Sequence, residues 1–213
     1  MKDRKQIDFK GHTFLVPHND KECHPVVSRQ VYDVDKAMQY CEGCDVAVQA
    51  GGNMGIWPFY LSEFFRHVYT FEPHPENFFC LVRNCPQENI YKFQAGLSDE
   101  PACFSMEGED TNAGAYQMGS IGYLPAMRLD AFELPALDLL CLDIEGMELK
   151  ALKGAHRHLQ KFAPVIMLED KGLSMKYGTQ KGEVTKFLKT LGYELAEEIH
   201  RDLIFTSTWG PQG

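Results

Sequence analysis

The chain has 213 residues, 44% of them hydrophobic, enough for one domain of ordinary size with a full apolar core. Its 30 acidic and 21 basic side chains leave a net charge of −9, which argues against a broad basic surface for nucleic acid or an anionic membrane and leaves room only for a local groove. No apolar run approaches the roughly 20 residues that span a bilayer, the opening MKDRKQIDFKGHTF lacks the apolar stretch of a secretory leader, and the seven cysteines, an odd number, read as reduced thiols, so a cytoplasmic protein is expected.

Residues 1 to about 30 are polar and mixed, with His12, His18 and His24 among them. They read as a cap or surface extension within an N-terminal part, 1–44, that precedes the core of a single domain at 45–213. Val34, Ala37, Met38 and Cys41 recur like the inward stripe of a helix over 31–41. A short apolar run then predicts a buried strand at 46–50. Residues 55–65 read as a crossover helix, with Pro58 tolerable only in its first turn. The next strand is expected at 68–71. Pro75 suits a first helical position, and Phe78, Phe79, Leu81 and Val82 give that second crossover its buried side. A third strand follows at 90–95. Residues 98–130, with the stretch MEGEDTNAGAYQMGS, read as a long irregular loop of the kind that is functional or disordered. A fourth strand is expected at 137–144, followed by a helix at 145–153 that Gly154 closes. The fifth strand, 165–168, ends at Glu169. Val184, Phe187, Leu188 and Leu191 mark a helix stopped by Gly192, and 193–196 with 203–206 close the sheet as a hairpin. Strands alternating with helices predict an α/β fold: a doubly wound, mostly parallel sheet with an antiparallel terminal hairpin.

The most informative segment is DVAVQAGGNMG, residues 45–55, paired with the run VYTFEPHPENF that carries Glu72. Gly51 and Gly52 end the first strand where the backbone must turn sharply and admit a ligand, and Gly55 opens the next element. Glu72 stands at the end of the second strand, where nucleoside-binding α/β folds use a carboxylate to accept from both ribose hydroxyls. Asn53 occupies the place of the middle glycine of a dinucleotide fingerprint, and no P-loop lysine follows. The spacing fits the shorter loop that class I methyltransferases use for S-adenosylmethionine. Gln49 stands where such enzymes usually carry an acid; its amide could still bond the donor's amino or carboxylate group. Cys41 and Cys44 have zinc-ligand spacing with Cys23 and His24 upstream, but no second close pair completes a site, and an ordinary turn is the simpler reading.

Residues 137–155, LDLLCLDIEGMELKALKGA, resemble the signature of FkbM-type methyltransferases, with Asp143, Glu145, Gly146, Gly154 and Ala155 at its marked positions. AGGNMG, FEPHP with Glu72, AGLSD at 95–99, RLD at 128–130 and VIMLE ending at Glu169 occur in the family's order, so the likeness covers about 46–170. The departures are Gln49 for the usual acid, which bears on cofactor affinity, and Cys141 where lysine is common, which bears on packing. The resemblance implies a Rossmann-like class I fold, S-adenosylmethionine as cofactor, and methylation of a hydroxyl oxygen on a small molecule or glycan.

Gln49, Gly51, Glu72, Asp143 and Glu169 all fall at carboxyl ends of strands and should converge on one crevice. The expected cofactor-binding residues are Gln49, Gly51, Gly52, Asn53 and Gly55 around the methionine, Glu72, His74 and Asn77 around the ribose, Gly96, Leu97 and Ser98 beside the adenine, and Asp143. Asp143 is the first candidate for the group that takes the acceptor's proton, with Glu145 and Glu169 as further catalytic candidates. Against these stand plainer readings: Glu145 as a first-turn helix residue, and Glu169 paired with Lys171 or Arg128. Asn112, Gly114 and His156 are weaker acceptor contacts. A magnesium site of Asp143, Glu169 and Asp170 is a variant, but no metal is expected. The alternatives are an RNA ribose 2′-O-methyltransferase, with Lys36, Asp143, Lys171 and Glu194 as its tetrad, and a non-catalytic nucleoside-binding module.

Overall fold

A computed structural model describes residues 4–18, 20–21, 23–108, 117–169, 175, 177–178, 180 and 182–211. Its centre is a seven-stranded sheet of β3 (Val46–Ala50), β4 (His67–Phe71), β5 (Ile90–Phe93), β10 (Leu139–Leu142), β11 (Val165–Glu169), β12 (Tyr193–Ile199) and β13 (Asp202–Ser207). The spatial order is β12-β13-β11-β10-β3-β4-β5. Pairings from β11 through β5 are parallel, and only β13 against β11 and β12 is antiparallel. This is the doubly wound sheet with a terminal hairpin that the alternating pattern predicts. The chain runs outward through β3, β4 and β5, then returns to lay β10 on the other side of β3. That reversal opens a crevice at the carboxyl ends of β3 and β10.

Strand alternation divides the core into two layers. Val46, Val48 and Ala50 face one layer with Phe71, Leu140, Leu142, Ile166 and Leu168. Ala47 faces the other with Val68, Leu139, Cys141 and Met167. On the Val46 side pack α4 (Glu148–Gly154), α5 (His156–Phe162) and α6 (Glu183–Thr190). On the Ala47 side pack α1 (Cys23–Met38) and α2 (Ile56–Leu61), with α3 (Pro75–Asn84) contributing Cys80.

Three expectations need correction. The N-terminal segment, read as a cap or a surface extension, does not stand free at the surface. It forms the hairpin β1 (Gln6–Phe9) and β2 (His12–Leu15), which buries Phe9 and Phe14 edge-on against Phe59 of α2. Two aromatic residues in a polar run were enough to anchor it. The first helix begins eight residues earlier than 31, because Asp20 caps it: its carboxylate accepts from the amides of Cys23 and His24 at 3.1 and 3.0 Å. Residues 98–130 are not simply irregular. They carry β7 (Ala102–Glu107), β8 (Gln117–Ile121) and β9 (Leu124–Met127), which join β6 (Gly96–Leu97) in a small sheet of order β6-β9-β7-β8. Strands this short bury few side chains (Phe104, Leu97 and Ala126), so they leave little periodic signal. Asn112 and Gly114 lie outside the described residues.

Candidate active site

The crevice is a cavity of about 630 Å³, and four strand ends supply its floor: Ala50 and Gly51 after β3, Glu72 after β4, Asp143 after β10 and Glu169 at the end of β11. Gly51 is the tightest point. It has φ of +86°, and a Cβ there would lie 1.9 Å from the carbonyl oxygen of Asp143. Only glycine permits this approach of two strand ends. The Asp143 amide in turn donates to the Ala50 carbonyl at 3.1 Å, so the loop after β3 and the start of the Asp143 turn are one unit.

Glu72 is 5% exposed and deeply bonded. Its two oxygens accept from the amides of Asn53 and His74 at 2.7 Å each, and the Asn77 side chain is a further donor. Burial pushes its carboxyl up to about 7, with those donors working the other way. A carboxylate oxygen has more than one acceptor site, so both remain able to accept from a diol.

At the other end of the cavity, Asp143, Glu145 and Glu169 bring carboxylate oxygens within 4.8 Å of one another, the one such acidic group among the described residues. Carboxylates at this spacing can face a cationic ligand or hold a metal ion. Asp170, the third member of the magnesium variant, lies outside the described residues, as does Lys171. Arg128 lies 3.6 Å from Asp130 in an ion pair. Glu145 is not a first-turn helix residue: it has φ of +52°, in a turn before α4, whose first residue is Glu148.

Among the expected cofactor residues, Gly51, Gly52, Asn53, Glu72, Asn77, Gly96, Leu97 and Asp143 line the cavity, and Gln49, Gly55, His74 and Ser98 do not. Gln49 points into the core layer of Ala47 by strand alternation. It is fully buried there, accepting from the Thr70 hydroxyl at 2.7 Å, which removes it from any ligand. Gly55 packs against Cys85 and Leu81 and opens α2. His74 caps α3 and touches Glu72 through its amide. The Ser98 carbonyl backs onto Gly154. His156 starts α5 away from the cavity.

Sequence reading missed the far wall. Cys23, Val26, Val27 and Gln30, spaced i, i+3, i+4 and i+7 on α1, face the cavity together with Arg29 and Asp33. His200 and Arg201, from the turn between β12 and β13, stand opposite, and His200 lies 3.6 Å from Asp33. The amphipathic stripe of α1 was the available signal, but a stripe does not say whether it meets core or cavity. Cys23 accepts from the Asn53 side chain at 3.0 Å, and burial pushes its thiol up to about 12, so it is a wall group and not a nucleophile. The Cys41 thiol reaches the Ala37 and Asp138 carbonyls, and among the described residues no group of three or more possible ligands joins it with Cys44, Cys23 or His24. Lys36 and Glu194 do not line the cavity, and the RNA-type tetrad is not assembled among the described residues.

Comparison with known proteins bears on the family and the fold. The model of the methyltransferase FkbM domain matches residues 49–195. The hexuronic acid methyltransferase AglP of Haloferax volcanii is 28% identical over 160 residues, covering 71% of this chain and 64% of that protein, so the chain spans less than two thirds of its length. An FkbM methyltransferase from Methylobacillus flagellatus superposes with a TM-score of 0.53 at 16% identity, over 76% of this chain and 43% of that one. A tRNA (uracil-54, C5)-methyltransferase of Pyrococcus abyssi, solved with S-adenosylhomocysteine, gives 0.54 at 14% identity over 96% and 43%. At such identities the two structures speak for the class I fold alone. No helix among the described residues is long and apolar enough to cross a membrane. With the family model spanning well over half of the chain, the protein belongs to the FkbM methyltransferase family.

Proposed function

We propose that this chain methylates a hydroxyl oxygen of a carbohydrate or a similar small acceptor. The observation that carries the reading is that Glu72 and the Asp143–Glu145–Glu169 cluster open on one cavity from strand ends on the two sides of β3. Bound S-adenosylmethionine supplies a methyl group on a sulfonium, with a neutral thioether as leaving group. In this reading Glu72 accepts from the ribose hydroxyls beside Asn77, Gly96 and Leu97 flank the adenine, and Gly51, Gly52 and Asn53 leave room for the methionine backbone. The acidic cluster supplies negative charge opposite the sulfonium and ammonium. Asp143 orients the acceptor hydroxyl and takes its proton as oxygen attacks the methyl carbon in line, with Glu145 and Glu169 holding the acceptor.

The acceptor would enter between α1 and the β12–β13 turn, where Arg29 and Arg201 offset the acidic floor. Together with the likeness to a hexuronic acid methyltransferase, this makes acidic sugars the first acceptors to try. Calorimetry with S-adenosylmethionine, followed by transfer of a labelled methyl group to uronic-acid saccharides and neutral sugars, tests the reading. Alkali-stable label in a sugar supports ether formation at a hydroxyl, whereas alkali-labile label would show a methyl ester. Absence of donor binding at millimolar concentration would leave only a non-catalytic module.

A further inference from the structure

The turn that carries Asp143 and Glu145 is strained, and one buried carboxylate holds it. Glu145 at φ +52° is a left-handed residue with a side chain, followed by Gly146 at φ +105°. Such a conformation is uncommon for glutamate and persists only where its surroundings over-determine it. The amides on either side, Ile144 and Gly146, both donate to the same oxygen of Glu148, at 3.3 and 3.1 Å. Glu148 is 4% exposed, does not line the cavity, and has its own amide as a further donor to the carboxylate. The Met147 amide closes the turn onto the Ile144 carbonyl at 3.3 Å. The Asp143 backbone is pinned separately to Ala50 and under Gly51, so what Glu148 sets is the path of the chain from Ile144 to Gly146.

We infer that Glu148 is a positioning residue: by clamping the amides on both sides of Glu145, it forces the left-handed turn that brings the Glu145 carboxylate beside those of Asp143 and Glu169. This rests on the proposed role of the acidic cluster as the group that faces the sulfonium. Without the clamp, the buried Gly146 amide and the part-buried Ile144 amide lose their acceptor, Glu145 relaxes toward ordinary φ, and its carboxylate leaves the cluster.

The test needs no acceptor. S-adenosylmethionine and S-adenosylhomocysteine differ by the sulfonium charge, so the ratio of their affinities reports how well the carboxylates face it. Glu148→Ala should lower the relative affinity for the charged donor roughly fivefold or more, the effect of moving one carboxylate away from a partly screened cation. Glu148→Gln, which keeps an acceptor oxygen, should restore most of the ratio, which a merely structural loss would not predict. In a Glu145→Ala background, Glu148→Ala should lower the ratio no further, because the two act through one group. An unchanged ratio in Glu148→Ala, a Gln variant as impaired as Ala, or an additive double variant would overturn the inference. If Glu148→Ala does not fold, amide exchange in the wild-type protein decides: protection at Ile144 and Gly146 is expected, and rapid exchange at both would refute the clamp. A wild-type protein that binds neither ligand would instead count against the proposed function.

Discussion

Replacing Glu72 by Gln separates a buried charge from the shape that holds it. In the folded protein its carboxyl is shifted from 4.5 to about 7 by burial, so keeping it ionised at about pH 8 costs on the order of 3 kcal/mol. The amide removes that cost. It also turns one acceptor oxygen into a donor facing the Asn53 or the His74 amide, now bonded at 2.7 Å, a penalty of about 1–3 kcal/mol. The two effects nearly cancel, so thermal unfolding at that pH should move little. Cofactor affinity has no such compensation. One charge-assisted bond to the ribose is lost and the other is weakened, about 2–3 kcal/mol in all, or roughly 30- to 150-fold in the Kd for S-adenosylhomocysteine. Calorimetry from about pH 6 to about pH 8 should show wild-type affinity rising with pH, since ribose hydroxyls favour the ionised carboxylate, and most of that slope should vanish in the variant. A Glu72→Gln protein that binds within about threefold of wild type, with its pH slope intact, would mean that Glu72 does not touch the ribose.

Asp143→Asn should leave S-adenosylhomocysteine binding within an order of magnitude while cutting turnover about a hundredfold or more, as expected for loss of a proton acceptor; single-turnover assays check this. Methyl transfer should be unchanged by EDTA and by added magnesium, because the proposed step needs only a carboxylate to take the proton and a sulfonium to give the methyl group; restoration of a lost rate by the metal would reverse that reading. Gly51→Ala should destabilise the fold by about 2 kcal/mol or more and abolish cofactor binding, since its φ is +86° and its Cβ would meet the Asp143 carbonyl, measured by denaturant unfolding. Glu72 and Glu148 are both raised to about 7 by burial, so each stabilises the fold fully below its ordinary value of 4.5 and loses that contribution as pH rises through about 7. The midpoint of thermal unfolding without ligand should therefore fall between about pH 5 and about pH 8, less steeply in Glu72→Gln.

Four of the parallel strands, β3, β4, β10 and β11, were legible because each is a short, mostly apolar run that ends at glycine or an acid. Glu72, Asp143 and Glu169 were legible because strand ends on one edge of a parallel sheet must meet. Gln49 misled because its place in the motif says nothing of its direction: one residue before the strand end, alternation turns it into the core onto Thr70. Ser98 and His74 lie beside cavity-lining segments without lining the cavity themselves: His74 touches Glu72 through its amide and caps α3 with its ring, and Ser98 backs onto Gly154. Glu148 was passed over since a glutamate at a helix start looks ordinary until the left-handed turn above it is seen.

Local pattern determined the alternation of strand and helix, the glycine corner at Gly51 and the acidic residues at the strand ends, since these depend on neighbours a few positions away. Only the tertiary structure decided that α1 and the β12–β13 turn form the far wall, that residues 96–127 carry a second sheet, and that Glu145 joins the cluster through a left-handed turn. Those features arise from contacts between segments far apart in the chain, whose free energy is shared among many weak terms and written in no single stretch of residues.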